Sequence, residues 1–185
     1  STGAIVVGGT LIVKRIKGVK RPALGGLIPS PDGHYMLMDM GANAECRPEM
    51  LCQFGIMSSV YMEKVVGIEN PKVGLLNIGT EDTKGDQLRL DTYKLLSEAP
   101  INFVGNVEAR DVPLGAVDVV VCDGFAGNVL LKSIEGTAMF MGSLMSKMFK
   151  KNLFSKLAAA LVMKDIKAFK KLLDYREIGG TQFLG

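Results

Sequence analysis

The chain has 185 residues, a formal net charge of +3, 48% hydrophobic residues and 22% charged residues. The length allows one domain with a sizeable core, or one domain and a lobe, and the composition is ordinary for a soluble globular protein. No apolar run reaches the roughly 18 residues of a membrane span. The first residues lack the basic start of a secretory signal, so neither feature is expected.

The charge is distributed unevenly along the chain. Residues 147–176 carry nine basic and two acidic side chains, which leaves the rest of the chain at −4. A local basic field of this kind indicates an acidic partner, an anionic surface or simply a solvated helix face.

The cysteines predict a reduced chain without a metal site. Cys46, Cys52 and Cys122 match no metal-ligand spacing. An odd number of cysteines, two of them on apolar stretches, is typical of free thiols in a cytosolic protein.

Short apolar runs and helical patterns alternate along the chain. The predicted strands are residues 35–40, 73–78, 101–104 and 117–122, and the predicted helices are residues 48–66, 86–97, 126–150 and 155–173. The apolar runs are not interrupted by polar residues, which is typical of strands buried on both faces, as in a parallel sheet. The pattern predicts an α/β fold, a mostly parallel open sheet with flanking helices, in a single domain over residues 1–185.

The last two predicted helices break this alternation. Residues 152–154 join these two helices. The arrangement predicts a helical hairpin, within residues 134–173, that protrudes from the sheet. A methionine-rich stripe on the first of the two indicates either core packing or an interface with a second copy or another partner.

A polar loop that contains glycine follows each predicted strand. The four loops are residues 39–43, 77–86, 105–111 and 123–128. Ligands of open parallel sheets bind beyond the carboxyl ends of the strands, so we expect the loops to converge on one crevice. Glycines let main-chain N–H groups approach an anion, and the helix starts add positive dipole ends. The cations nearby are Lys84, Arg110 and Lys132.

The chain lacks nucleotide-binding motifs and a histidine paired for catalysis, and both absences argue against particular classes of enzyme. Neither a phosphate-binding P-loop nor a G-x-G-x-x-G fingerprint is present, which argues against a nucleotide triphosphatase or a simple dinucleotide fold. His34 is the only histidine, and its Pro-Asp-Gly context predicts a surface turn. Without a histidine paired to an acid or a cysteine, the usual activated nucleophiles are not expected. A nucleophile that is already an anion, such as phosphate, needs only to be held and oriented.

Eight sequence motifs, spread over nearly the whole chain, together resemble one family. They are STGA, RPAL, MGANAECRPE, GLLNIGTEDTKG, INFVGNVEARD, VDVVVCDGFAGNVLLK, SKLAAAL and GGTQFLG. In order and spacing they resemble the bacterial phosphate acyltransferases (PlsX), also called acyl-acyl-carrier-protein:phosphate transacylases.

The resemblance implies a reaction and a setting. Family members move a long-chain fatty acyl group from acyl carrier protein to inorganic phosphate, and the acyl phosphate feeds phospholipid biosynthesis. The implied fold is related to phosphotransacetylases and isocitrate-dehydrogenase-like enzymes. The resemblance further implies cytoplasmic homodimers that associate peripherally with the inner face of the bacterial cell membrane, without metal, organic cofactor or nucleic acid. The family's opening strand and its last strand and helix are absent, so we expect this chain to be a fragment.

Three side chains are candidates for catalysis. Lys84, in a glycine-flanked loop, can neutralise the charge of phosphate or of an oxyanion, and Asn106 and Asn128 can donate amide hydrogens to phosphate or carbonyl oxygens. Each also has a structural interpretation, the lysine as an exposed loop residue and the asparagines as turn residues.

Other residues in or close to these loops, together with one near the start of the chain, are candidates for substrate binding. Arg110 suits bidentate phosphate binding, but it can instead pair with Glu108 or Asp111. Asp123 can orient a donor or merely cap the following helix. The remaining candidates are Thr2, Asn43, Gly79, Thr80, Gly124, Gly127 and Lys132.

The hairpin is a candidate membrane contact. One side is apolar and the other is rich in lysine, which is the composition of a helix lying on an anionic bilayer. The predicted membrane-binding residues are Leu153, Phe154, Leu157 and Leu161. The same lysines can receive the acidic carrier protein, and the methionine stripe can line an acyl groove or a dimer seam. The sequence does not rank these uses.

Three other functions are weighed beside the acyltransferase. One is a phosphotransacetylase-type enzyme that uses acyl-coenzyme A, and another is a noncatalytic, membrane-associated scaffold with the same fold. The third, an oxidoreductase on the related dehydrogenase fold, is disfavoured because the dinucleotide fingerprint is absent.

Overall fold

The computed structural model describes residues 14–172 and 181–183. The strands within these ranges are β1 Ala23–Ser30, β2 Gly33–Met38, β3 Val73–Asn77, β4 Phe103–Glu108, β5 Val119–Val121 and β6 Thr181–Phe183. The α-helices are α1 Pro48–Tyr61, α2 Gln87–Glu98, α3 Gly124–Lys150, α4 Leu153–Leu161 and α5 Met163–Leu172. A π-helical turn at Met62–Val66 extends α1, and a 3₁₀ turn at Val112–Leu114 precedes β5.

The strands form one sheet in the order β4-β3-β5-β2-β1-β6. Strands β4, β3, β5 and β2 run parallel to one another, whereas β1 pairs antiparallel with β2 on one side and with β6 on the other. The predicted α/β fold with a mostly parallel sheet is confirmed. Because the four parallel strands are neighbours, their carboxyl ends lie along one edge of the sheet.

The central strands are buried on both faces. Leu75 of β3 and Val121 of β5 lie in a core with Phe54 of α1, whereas Val120 lies in a second core with Leu130 of α3. Successive residues of one strand therefore fill opposite layers of an α/β/α arrangement. This two-sided burial is the physical reason for the continuous apolar runs in the sequence.

Strands β2, β3 and β5 lie where apolar runs predict strands, but the fourth predicted strand is displaced. Strand β4 begins two residues later than predicted and continues to Glu108, because it pairs in parallel with β3 as far as Asn77. Gly105 and Asn106 therefore lie within a strand, and the prediction that they open a loop is wrong.

Strand β1 does not follow from the sequence pattern. Its glycines and Pro29 disfavour a strand locally, and pairing with β2 over Gly25–Ser30 and with β6 over Ala23–Gly25 holds it in place. A Cβ atom at Gly25 would lie 2.7 Å from the ring of Phe183, so the glycine gives room for the aromatic side chain of β6.

Helices α1, α2 and α3 confirm three predicted helices. Pro48 occupies the first turn of α1, as expected. The single helix predicted over residues 155–173 is wrong, because the chain forms α4 and α5 instead. The Asn152 side chain accepts a hydrogen bond from Ser155 N, which caps α4. Helix α4 ends at Leu161, because the dihedral angles of Val162 (φ −102°, ψ 16°) leave the helical range.

The long helix α3 is buried only at its beginning. Its buried residues are Gly124, Gly127 and Leu130, and α4, which packs against α3, has none. The protruding hairpin over residues 134–173 stays a prediction, and its last residue, Leu173, lies outside the described residues. No helix in the described part of the chain has both the length and the apolar character needed to cross a bilayer.

Candidate active site at the carboxyl edge of the sheet

A buried carboxylate organises the loop after β2. The Asp39 side chain is fully buried and accepts hydrogen bonds from five N–H groups. The donors are the main-chain N–H groups of Leu24, Gly41, Ala42 and Asn43 at 2.8–3.2 Å and the Asn43 side-chain amide at 2.8 Å. Five hydrogen bonds to one carboxyl group hold this loop in one conformation. The Asn43 amide also donates to Pro22 O at 2.8 Å, so this predicted substrate-binding side chain is committed within the protein.

The corner after β5, residues 123–128, packs tightly against that loop. Gly124 N donates to Asn43 O at 2.7 Å, and the Asn128 side-chain amide donates to Met40 O at 3.0 Å. A Cβ atom at Gly127 would overlap the carbonyl oxygen of Asp39. Gly124 and Gly127, both predicted to bind substrate, therefore allow the close approach of two backbones. The catalytic role predicted for Asn128 stays a prediction, with its amide directed at a protein carbonyl.

Asp123 caps α3, which is one of the two roles the sequence allows for it. Its Oδ1 accepts a hydrogen bond from Ala126 N at 2.8 Å, and its Oδ2 forms an ion pair with Arg89 of α2. The arginine also pairs with Asp86, at 3.0 Å. The sequence alone does not single out Arg89. Its i,i+3 spacing from Asp86 indicates that ion pair, but no sequence pattern indicates the pair with Asp123, which is 34 residues away.

Two amides brace the loop between β3 and α2. The Asn77 side chain donates to Lys84 O at 3.0 Å, and the Asn106 side chain of β4 donates to Glu81 O at 2.7 Å. Asn106 thus supports the loop from the neighbouring strand, and its buried Oδ1 has no partner among the described residues. Its amide hydrogens face this loop, so its catalytic role also stays a prediction.

Lys84 lies at the exposed end of this loop. Its ammonium group makes no ion pair within the described ranges. Its aliphatic stem and the Glu81 carboxylate both lie over Gly79, where a Cβ atom would approach Lys84 Cγ to 3.1 Å and Glu81 Oε2 to 2.8 Å. The main-chain N–H groups of Gly79 and Thr80 have no acceptor in this part of the structure. A loop that carries both an unpaired cation and free N–H donors can accommodate an anion.

The other predicted site residues lie apart from this arrangement or are paired. Arg110 is exposed and pairs with Glu108 at 2.7 Å and with Asp111 at 3.7 Å. These are the ion pairs that the sequence offers as the alternative to phosphate binding. Lys132, in the third turn of α3, pairs with Glu135 at 2.7 Å. Thr2 lies outside the described residues.

Apolar side chains flank the same edge, and sequence reasoning does not single them out. Ile78, directly after β3, is 80% exposed, and Phe125, in the first turn of α3, is 69% exposed. Val129 follows one turn later on α3 and is also exposed. An edge with both a free cation and apolar side chains suits a ligand with an anionic end and an apolar body.

The three cysteine thiols are protonated at neutral pH. Burial, with the carboxylates of Asp39 and Asp123 nearby, raises the pKa of Cys46 to about 12. Burial also raises the pKa values of Cys52 and Cys122, and all three cysteines are free. A thiol in this state is a poor nucleophile. In the described residues no three His, Cys, Asp or Glu side chains are grouped closely enough to hold a metal ion.

The fold places the chain in a structural class. A phosphotransacetylase from Streptococcus pyogenes superposes with a TM-score of 0.60 at 17% identity, over 75% of this chain and 48% of that one. The EutD phosphotransacetylase from Staphylococcus aureus superposes with a TM-score of 0.58 at 21% identity, over 74% of this chain and 48% of that one. At these identities the likeness establishes the fold alone.

The sequence places the chain more narrowly. A family model described as "Fatty acid synthesis protein" matches residues 1–185, and the chain belongs to this family. Proteins named phosphate acyltransferase from Alkaliphilus oremlandii and Acetivibrio thermocellus are each 52% identical over 185 residues. A protein of the same name from Bacillus cereus is 50% identical over 186 residues.

The family resemblance seen in the motifs is therefore confirmed. Each of these relatives aligns with 100% of this chain, whereas the chain covers 55–56% of each relative. The chain thus spans about half the length of the relatives it matches.

Proposed function

We propose that the protein containing this chain is an acyltransferase that moves a long-chain fatty acyl group from acyl carrier protein to inorganic phosphate. The product, an acyl phosphate, serves phospholipid biosynthesis. Support comes from relatives named phosphate acyltransferase at 50–52% identity. The observation that carries the proposal is that the loop after β3 holds both the unpaired Lys84 ammonium and the free N–H groups of Gly79 and Thr80, at an edge with exposed apolar side chains.

In the proposed reaction, phosphate is its own nucleophile. A phosphate oxygen bonds to the thioester carbonyl carbon, the carbon–sulfur bond breaks, and the carrier-protein thiolate leaves and takes up a proton. Lys84 and the two N–H groups hold the phosphate and offset the negative charge that develops. The protonated cysteines and the exposed position of His34 agree with a mechanism that needs no protein nucleophile.

The supporting residues have separate proposed roles. Asn106 holds the Lys84 loop through Glu81, and Asn128 holds the loop after β2 through Met40. We propose both as positioning residues, because their amide donors are directed at protein carbonyls.

We also propose that the hairpin binds the inner face of the cell membrane. Leu153, Phe154, Leu157 and Leu161 are all exposed on α4, and lysines accompany them on α3 and α5. Apolar side chains with a basic fringe favour an anionic bilayer. The protein is then cytoplasmic and peripheral to the membrane. Docking of the acidic carrier protein on the lysines and a homodimer through the methionine stripe are the other proposed uses.

The first experiment mixes the complete gene product with acyl-acyl carrier protein, with and without phosphate, and traps acyl phosphate as its hydroxamate. The 185-residue chain is assayed in parallel. Phosphate-dependent hydroxamate from the gene product is the expected result. Its absence, with the protein folded, would overturn the transferase and favour the scaffold, which also predicts no phosphate binding.

A second candidate is a phosphotransacetylase-type enzyme that uses acyl-coenzyme A, which the likeness in fold favours. The same assay with acyl-coenzyme A separates the two. We expect the carrier-protein donor to give the higher kcat/KM, and a clear preference for coenzyme A would replace the first proposal by the second.

A further inference from the structure

One guanidinium group joins the capping carboxylates of two helices. Asp86 caps α2 by accepting from Arg89 N with Oδ1, while its Oδ2 accepts from Arg89 Nη1, both at 3.0 Å. Asp123 caps α3 by accepting from Ala126 N with Oδ1, while its Oδ2 accepts from Arg89 Nη2. Each carboxylate therefore uses one oxygen for its own helix and the other for the shared arginine.

This link crosses the candidate active site. Helix α2 follows β3 and helix α3 follows β5, and these two strands are hydrogen-bonded neighbours. The link thus ties the end of the Lys84 loop to the corner that holds Gly124. The Arg89 side chain is 16% exposed and that of Asp123 is 7% exposed, so the pair is shielded from solvent.

The charge of the link matters as much as its geometry. A lone buried carboxylate at position 123 would repel an anion bound at this edge, and the interaction would be weakly screened at low exposure. Arg89 offsets that charge, and its planar fork reaches two carboxylates at once, which a single lysine ammonium does less well.

We propose that Arg89 is a positioning residue for the phosphate site. It holds the β3–α2 loop and the first turn of α3 at a fixed separation and offsets the charge of Asp123, so that phosphate meets Lys84 in one geometry. This inference rests on the proposed function, because it assigns a role in binding the phosphate of that reaction.

The test uses the complete gene product with Arg89→Lys, Arg89→Met and the double variant Arg89→Met/Asp123→Asn. The double variant removes the unpaired buried carboxylate that Arg89→Met leaves behind, so it keeps the protein foldable if the single variant is too unstable. The control is Lys94→Met on the same helix, an exposed lysine whose ion-pair partner is Asp91, three residues away. The readouts are KM for phosphate, KM for acyl carrier protein, the melting temperature and hydrogen exchange of residues 78–86 and 124–127.

Arg89→Lys is expected to raise KM for phosphate roughly tenfold, because a lysine keeps only one of the two charge-assisted links, to Asp86 or to Asp123. KM for acyl carrier protein is expected to stay within about twofold of the wild type, because the proposed role of Arg89 concerns the phosphate site alone. The double variant is expected to melt close to the wild type and yet keep the raised KM for phosphate. Lys94→Met is expected to match the wild type in both constants. Unchanged KM for phosphate in folded Arg89 variants would overturn the positioning role, as would KM values that rise equally for both substrates.

Hydrogen exchange separates this inference from the proposed function. Arg89→Lys is expected to speed exchange in both segments, 78–86 and 124–127, and unchanged exchange in either segment would overturn the link between them. If the wild type formed no acyl phosphate, the proposed function would fail and the phosphate role of Arg89 with it. The exchange result would still decide whether the arginine joins the two corners.

Discussion

The two ends of α3 belong to different environments. At its beginning, Gly124, Gly127 and Leu130 are buried, and the polar side chains of Asp123 and Asn128 are bonded to other parts of the protein. Beyond Leu130 no residue of α3 is buried, although the helix continues to Lys150. One helix thus combines an end fixed by the fold with an end that the described chain leaves uncovered.

This difference in burial indicates that the proposed catalytic site and the proposed membrane contact lie at opposite ends of α3. The buried end has satisfied donors and acceptors and little freedom, which suits a site that must hold reacting groups in one geometry. The other end exposes Phe140 and Met148, and the adjoining α4 exposes Phe154 at 84%. Exposed apolar residues in this number, fringed by lysines, suit a surface that is covered by something else.

The largest expected effect is a loss of stability from a substitution at the buried end of α3. Gly127→Ala should lower the free energy of unfolding by about 3 kcal/mol, because the new methyl group overlaps Asp39 O and lies 2.7 Å from Cys122 Sγ. The matched control is Gly136→Ala on the exposed part of the same helix, where a Cβ atom meets nothing within 4 Å. It should raise stability by roughly 0.5–1 kcal/mol. Urea unfolding measures both, and equal effects would contradict the contrast between the two ends.

The next effect concerns the exposed end. Leu157→Glu with Leu161→Glu should weaken binding to anionic vesicles at least about tenfold, since it removes apolar contact and adds two repelled charges. The control places the same charges on exposed valines elsewhere, Val60→Glu with Val65→Glu, and should bind as the wild type does. Sedimentation with vesicles gives the answer. Wild-type binding by the leucine variant would remove the hairpin from the membrane proposal.

The most local effect, on the reactivity of a single thiol, sharpens the description of the buried end. Because the pKa of Cys46 is raised to about 12, its alkylation by iodoacetamide at pH 8 should be at least ~100-fold slower in the folded protein than in urea. Peptide mass mapping identifies the site. The raised pKa also means that the folded state holds the proton more tightly, so stability falls as pH rises from about 9 to about 12. Fast alkylation of folded protein at pH 8 would contradict this burial.

The sheet could be predicted because local composition and final environment agree. The apolar runs of β3 and β5 are continuous since both faces are buried, and the polar loops after them meet because parallel strands end at one edge. Strand β1 could not be predicted in the same way. Its glycines and Pro29 are locally unfavourable, and it is a strand because β2 pairs with it from Gly25 to Ser30.

For the candidate site, the sequence predicts which loops form it but not the contacts that hold those loops together. The sequence indicates Lys84 and the glycines, because loop composition is local information. It does not indicate that Asn106 braces the loop from the next strand, nor that Arg89 joins Asp123 across 34 residues. Those contacts depend on strand order and on how two helices start, which no local pattern determines.

The central proposal, that Lys84 holds phosphate for attack on a thioester, is tested most directly by Lys84→Met in the complete gene product. Acyl-phosphate formation, trapped as hydroxamate, should fall roughly 10²–10³-fold, as expected for loss of one charge-stabilising donor. The free energy of unfolding should change by less than about 0.5 kcal/mol, because the side chain is exposed. Lys94→Met serves again as the control. A folded Lys84→Met protein with wild-type rates would contradict the proposal.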